Sequence, residues 1–150
     1  MKPRIHGAAG FTLIELMVVI VILGLLAAIV VPNVVGRTDQ ARYTAAEAQI
    51  EVLKNALKLY KLDNGLYPTT EQGLESLVRK PGAGTTARNW REGGYLDKQD
   101  LPIDPWGNQY IYISPGQNNP DFDLKSFGAD GIEGGESYNA DIESWRSVQR

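Results

Sequence analysis

The chain has 150 residues, 18 of them acidic and 15 basic, with a net charge of −3 and a single histidine. That length suits one small domain, and the charge balance gives no basic surface for nucleic acid. There is no cysteine, so a disulfide framework and a thiolate metal site are excluded. The lone histidine is His6, close to the N-terminus, which excludes a histidine dyad or zinc site further along.

A short polar leader with Lys2, Arg4 and His6 ends at Gly10. The run from Phe11 to Val31 is apolar apart from Thr12 and Glu15. It is long enough for a bilayer, which needs about 20 residues, and exceeds the apolar core of about 7–15 residues in a cleaved signal peptide. The residues after it, Val31-Pro32-Asn33-Val34-Val35, are too bulky for a small-residue cleavage site, so the run should stay on the protein. Lys2 and Arg4 predict a cytoplasmic N-terminus with the remainder outside. Loss of the leader would take both charges with it and leave −5.

Pro32 and Gly36 could end or kink the helix. Beyond them Ala46, Ile50, Leu53, Leu57 and Tyr60 recur at helical spacing, with Arg42, Glu47, Glu51, Lys54, Lys58 and Lys61 on the other faces. The pattern fades at Asp63-Asn64-Gly65. This predicts one long helix from about Phe11 to Leu62, bent near Pro32, whose second half buries an apolar stripe. Thr69-Thr70-Glu71-Gln72 has the spacing of a capping box and predicts a short helix over 73–78, stopping before Pro81. Residues 80–94 read as loop and Trp106-Gly107-Asn108 as a turn. Gln109–Ile113 and Asp121–Phe127 read as two antiparallel strands separated by the turn 115–120. Residues 128–141 are rich in glycine and acids, and Trp145 is expected to pin the C-terminus. The expected fold is α+β, with a long helix, transmembrane half plus amphipathic half, packed on a small C-terminal antiparallel sheet carrying a glycine-rich acidic loop. The expected divisions are 1–10 as a cleaved leader, 11–37 as the membrane helix and 38–150 as the external domain.

Two places carry chemistry. A lone carboxylate inside a membrane span costs about 2.5–3.5 kcal/mol on insertion scales, so Glu15 calls for an explanation. One reading places it at the membrane surface, favoured by the helix dipole. The other has the chain cut after Gly10, so that Phe11 gains a free amine and Glu15 pairs with the amine of a neighbouring subunit, setting register in a filament. The second place is the acidic loop, where Asp130, Glu133, Glu136, Ser137, Asn139 and Asp141 bring side-chain oxygens and glycines let carbonyls turn inward. Such hard donors suit Ca²⁺, although composition alone fits a solvated acidic loop and the spacing is not that of an EF-hand. Asp104-Pro105-Trp106-Gly107 reads as a packed aromatic turn, Tyr110 and Tyr112 as packing residues on one sheet face. Nothing brings Asp63 and Asp104 together as paired acids.

Gly10-Phe11-Thr12-Leu13-Ile14-Glu15-Leu16 resembles the processing signal of type IV pilins and pseudopilins. The segments 62–74, Gly94-Tyr95-Leu96, 101–108, Gly128-Ala129-Asp130-Gly131, Gly134-Gly135 and Ala140-Asp141-Ile142 extend the likeness across the chain, which resembles the major pseudopilins of the type II secretion system. The resemblance implies cleavage after Gly10 by a prepilin peptidase and N-methylation of Phe11. It implies a subunit held in the inner membrane and polymerised by a cytoplasmic ATPase into a periplasmic pseudopilus. Its partners there are further copies of itself, minor pseudopilins and the inner-membrane assembly platform. The filament helps move folded exoproteins through the outer-membrane secretin, and the subunit is not an enzyme. The resemblance also implies a structural calcium held by Asp130, Ser137 and Asn139 with the carbonyls of Phe127 and Ile132, Glu136 and Asp141 being further candidates. Ser137 stands where an aspartate is common in that family, and Tyr138 cannot replace an acid or amide, so calcium would bind more weakly or through Asn139 or Glu136. Two rival readings are a type IV or competence pilin, which commonly has a C-terminal disulfide, and a membrane-anchored periplasmic enzyme or binding protein, which would need a cleft of convergent polar groups.

Overall fold

The computed structural model describes residues 10–82 and 87–146; for residues 28–37 only the backbone is described. The chain divides into two compact units, Met1–Thr38 and Asp39–Arg150, each taken by itself below. One helix, α1, runs from Leu13 to Asn64. In the first unit its side chains from Leu13 to Leu26 are exposed all round, Leu13 by 78% and Ile20 by 68%. Among the described residues no helix is long and apolar enough to cross a membrane. The expected span draws on Ala28–Val31, whose side chains lie outside the described residues; the backbone of α1 continues through Pro32 and Gly36, as the downstream pattern leads one to expect. Leader residues 1–9 lie outside them as well.

In the second unit α1 buries Ala46, Ile50, Leu53, Leu57 and Tyr60, the face given by the helical spacing, and Ala56 joins them. The helix ends where Gly65, at φ +85°, turns its N–H back to the Lys61 carbonyl at 2.7 Å. Downstream, Thr69 and Gln72 form the expected reciprocal pair: Thr69 N–H donates to Gln72 Oε1 (3.0 Å) and Gln72 N–H to Thr69 Oγ1 (3.2 Å). The α-helix expected over 73–78 is instead a single 3₁₀ turn, Leu74–Leu77. Gly73 at φ +60° breaks the helical path after the capped turn, and burial of Leu74, Ser76 and Leu77 holds the short segment that remains. The described parts of the 80–94 loop are fixed by Trp90 Nε1–H donating to the Ser76 carbonyl and Tyr95 N–H donating to that of Leu77, both at 2.7 Å. Tyr60 and Tyr95 then pack with their rings tilted at 55° and centroids 5.3 Å apart.

Three strands form an antiparallel sheet in the order β1 (Ile111–Ile113), β2 (Asp123–Ser126), β3 (Ile142–Glu143). Tyr112 lies opposite Leu124, and Ser126 opposite Ile142. Residues alternate between faces along a strand. One face therefore presents Tyr110, Tyr112, Phe122, Leu124, Ser126 and Ile142, all buried, and its apolar members join the α1 stripe in one core. Tyr110 O–H reaches Gln49 on α1 at 2.5 Å, and Tyr112 O–H reaches the Pro68 carbonyl at 2.7 Å. Burial pushes both phenols up, Tyr112 to about 12. The other face carries Ile111, Ile113, Asp123, Lys125 and Glu143, and Trp145 lines a cavity on it beside Ile111 and Lys125. The two expected strands pair as read but are shorter, and β3 is an element that the sequence reading did not anticipate.

Candidate functional sites at the helix start and in the acidic loop

Gly10 and Phe11 precede α1 without regular structure and are exposed. Glu15 begins the helix in a specific way. Thr12 N–H and Thr12 Oγ1–H both donate to Glu15 Oε2 at 2.8 Å, and Glu15 N–H donates to Thr12 Oγ1 at 3.3 Å. This is a capping box, a threonine with a glutamate three residues on that satisfies orphan N–H groups of the first turn. The sequence signal for it is the spacing in Thr12-Leu13-Ile14-Glu15, which membrane cost alone does not reveal. The carboxylate is thus held through Oε2 by local donors in a single chain.

The acidic loop is closed by its own backbone. Ala129 N–H donates to the Tyr138 carbonyl at 3.0 Å, and Asp141 N–H to that of Gly134 at 3.2 Å. Gly128 (φ +69°) and Gly135 (φ +87°) pack against the 139–140 segment; a Cβ at Gly128 would stand 2.8 Å from the Ala140 carbonyl oxygen, and one at Gly135 2.5 Å from that of Asn139. Ser137, in the short 3₁₀ turn Ser137–Asn139, has φ +58°, a left-handed conformation uncommon outside glycine. Asp130 is exposed and accepts from Ile132 N–H at 3.1 Å.

The remaining acids divide differently from the sequence reading. Lys125 of β2 reaches over from the sheet, its Nζ 2.5 Å from Glu133 Oε1, 3.7 Å from Asp141 Oδ2 and 4.8 Å from the Phe127 ring centre. Burial works against the Lys125 charge, but the Glu133 hydrogen bond and the charges of Glu133, Asp141 and Glu143 outweigh it and raise the pKa. The hydrogen bond and charge of Lys125 hold Glu133 below the usual carboxylate range. Glu133, counted above among the oxygen donors of the loop, is exposed but already paired with Lys125. Asp141 also accepts from Gly134 N–H at 3.0 Å, so its two oxygens already face internal donors. Among the described residues no three or more acidic side chains gather closely enough to hold a metal. The donors left for a hard cation are the Asp130 carboxylate, the Ser137 and Asn139 side chains, the exposed Glu136 and backbone carbonyls, including those of Phe127 and Ile132. Their chemistry fits Ca²⁺, which accepts carbonyl, hydroxyl and amide oxygens in an irregular shell. Asp63 and Asp104 do not form a pair of acids: Asp63 meets Arg91 at 3.1 Å, and Asp104 accepts from Trp106 and Asn108 N–H and from Ser126 O–H.

A long helix with an exposed apolar start and a small sheet-bearing domain defines a pilin-like subunit, and the prokaryotic N-terminal methylation motif matches residues 5–31. The family described as type II secretion system (T2SS), protein G matches residues 33–145, and the chain belongs to that family. It is 57% identical over 137 residues to the type II secretion system core protein G of Pseudomonas aeruginosa, covering 91% of this chain and 94% of the other. It is 55% identical over 142 residues to the protein of the same name from Vibrio cholerae, covering 95% and 94%. The crystal structure of the major pseudopilin from the type 2 secretion system of enterohaemorrhagic Escherichia coli superposes with a TM-score of 0.63 at 43% identity, over 77% of this chain and 96% of the other.

Proposed function

We propose that this chain is the main building block of a periplasmic pseudopilus, anchored in the inner membrane by its N-terminal helix before assembly and extended from there by homopolymerisation. The observation that carries the reading is the first part of α1: from Leu13 to Leu26 the apolar side chains are exposed on every side, with Ile14 at 70% and Leu25 at 64%. Surface of that kind is unstable in water, and it needs lipid or other copies of the same helix around it. Membership of the protein G family supports the second environment as the end state and the first as the waiting state. In this reading a prepilin peptidase cuts after Gly10, a residue small enough for a narrow cleft, and the new Phe11 amine is methylated. The Phe11 amine of an incoming copy then meets Glu15 Oε1 of its neighbour, while Oε2 keeps the cap. Minor pseudopilins and the inner-membrane platform are the further partners, exoprotein export through the secretin is the outcome, and the role is structural rather than catalytic. One Ca²⁺ held around Asp130, Ser137 and Asn139 orders the loop of the periplasmic domain.

Intact mass and N-terminal sequencing of the membrane-extracted protein test the processing. The expected product begins at Phe11 and carries one added methyl group; a chain still beginning at Met1 in cells with an active peptidase overturns the assignment. Shearing and electron microscopy of cells overproducing the chain test the filament, and the reading fails if processed protein accumulates without forming any.

A further inference from the structure

Asp104 is an aspartate with only 2% of its surface exposed, in the turn before β1, and its carboxylate accepts from donors on both oxygens. Oδ1 accepts from Trp106 N–H (3.1 Å) and Asn108 N–H (2.7 Å), and Oδ2 accepts from Ser126 O–H (2.7 Å). Ser126, fully buried at the end of β2, in turn accepts from Gly128 N–H at 3.2 Å. Gly128 is where the acidic loop leaves the sheet. The same carboxylate shapes the turn that supports the loop from below, since the Asn108 side chain lies against Gly131, 3.3 Å from where its Cβ would be. Both routes converge on Asp130, one residue from Gly131 and two from Gly128.

We infer that Asp104 is the positioning residue of the acidic loop. Through Ser126 on one side and Asn108 on the other, it fixes the backbone around Asp130 and so sets how tightly the loop holds a divalent cation. The inference rests on the calcium reading given above. A carboxylate is suited to the task because it can accept several hydrogen bonds at once, and charge-assisted bonds of this kind are about twice as strong as neutral ones. Asparagine would keep the shape of Asp104 but replace one acceptor oxygen with a donor, which would face Ser126 O–H or the two turn amides. Removing the Ser126 hydroxyl would cut the route to Gly128 alone. Asp123 supplies the contrast: it is a second buried carboxylate, on β2 like Ser126, bound by Gln117, Asn118 and Asn119 at the far end of the strand from the loop.

The test is calcium titration calorimetry on the full chain purified in detergent, with hydrogen exchange read by mass spectrometry on the same samples in chelator. Ser126→Ala and Asp104→Asn are expected to raise the calcium Kd at least ten-fold and to speed exchange across 128–131. Asp123→Asn is expected to lower the melting temperature with Kd unchanged within two-fold. An effect of equal size from all three substitutions would show general destabilisation and overturn the inference, as would a Kd that moves in none of them. If the unsubstituted protein takes up no calcium, the calcium reading falls by itself. Exchange in chelator then decides the positioning role: faster exchange at 128–131 in Ser126→Ala upholds it, and unchanged exchange ends it.

Discussion

Gly134 and Gly135 are neighbours that both have positive φ, +100° and +87°, yet their surroundings differ. A Cβ on Gly134 would meet nothing within 4 Å, whereas one on Gly135 would fall 2.5 Å from the Asn139 carbonyl oxygen and 2.8 Å from its carbon. Alanine at either position must adopt a backbone that L-residues avoid, at a cost of about 1–3 kcal/mol. At Gly135 the 139 backbone must also move aside, and overpacking of that kind adds about 1–3 kcal/mol. The distortion reaches the sheet quickly, because β3 begins at the buried Ile142. With about 2–8 °C per kcal/mol for domains of this size range, Gly135→Ala should melt several degrees below Gly134→Ala. Differential scanning calorimetry of the two variants in chelator would measure this. Equal melting temperatures, or the reverse order, would show that the loop is not packed against the 139 segment as described.

Three further expectations follow from the same contacts. The unsubstituted protein should melt higher in calcium than in chelator, by the equivalent of about 2.7 kcal/mol at a hundredfold excess over Kd, and Asp130→Ala should remove most of that difference; identical melting in both conditions would remove calcium from the loop. For Asp123, burial opposes the charge, but the amides of Asn118, Asn119 and Gln117 win and its pKa is lowered. A carboxylate with a folded pKa below its unfolded value stabilises above about pH 4, and that contribution is lost as the pH falls through the folded value. Urea unfolding between pH 6 and pH 3 should therefore show a fall in stability that is smaller in Asp123→Asn, and parallel curves would contradict the network. At the helix start, Glu15→Gln keeps an acceptor for Thr12 but loses the charge, whereas Thr12→Val loses the cap and keeps the charge; filaments counted by microscopy should vanish in the first and persist in the second.

The parts of the fold readable from sequence are those with a period. The buried stripe Ala46, Ile50, Leu53, Leu57 and Tyr60 repeats along α1, and the alternation around Tyr110–Tyr112 and Phe122–Leu124 marks two strands and their inner face. β3 has two residues, Ile142 and Glu143, too short for any alternation, and it exists because Ser126 and Lys125 offer an edge to pair with. The helix expected after Thr69 failed for a related reason: the capping signal was sound, but Gly73 ended the helical path one turn later.

The acids show why composition misleads about sites. Asp104, Asp123, Glu133 and Asp141 all stand where a ligand count would include or discard them by neighbourhood in the chain, yet each is committed to a donor inside the domain. Lys125 is the clearest case. It is one basic residue in a strand, with nothing in its local sequence to link it to the loop, and folding carries its ammonium group to Glu133 and Asp141. A buried carboxylate must find donors or lose its charge, so in a small domain most acids near the core are drawn into such internal bonds first. Asp130 and Glu136 are set apart by what they lack: both are exposed, and the one side-chain bond described for the two is the one that Asp130 accepts from Ile132 N–H. In the proposed calcium reading Asp130 is the one of the two at the point where the Asp104 contacts converge, with acceptor sites unused to meet a cation from solution.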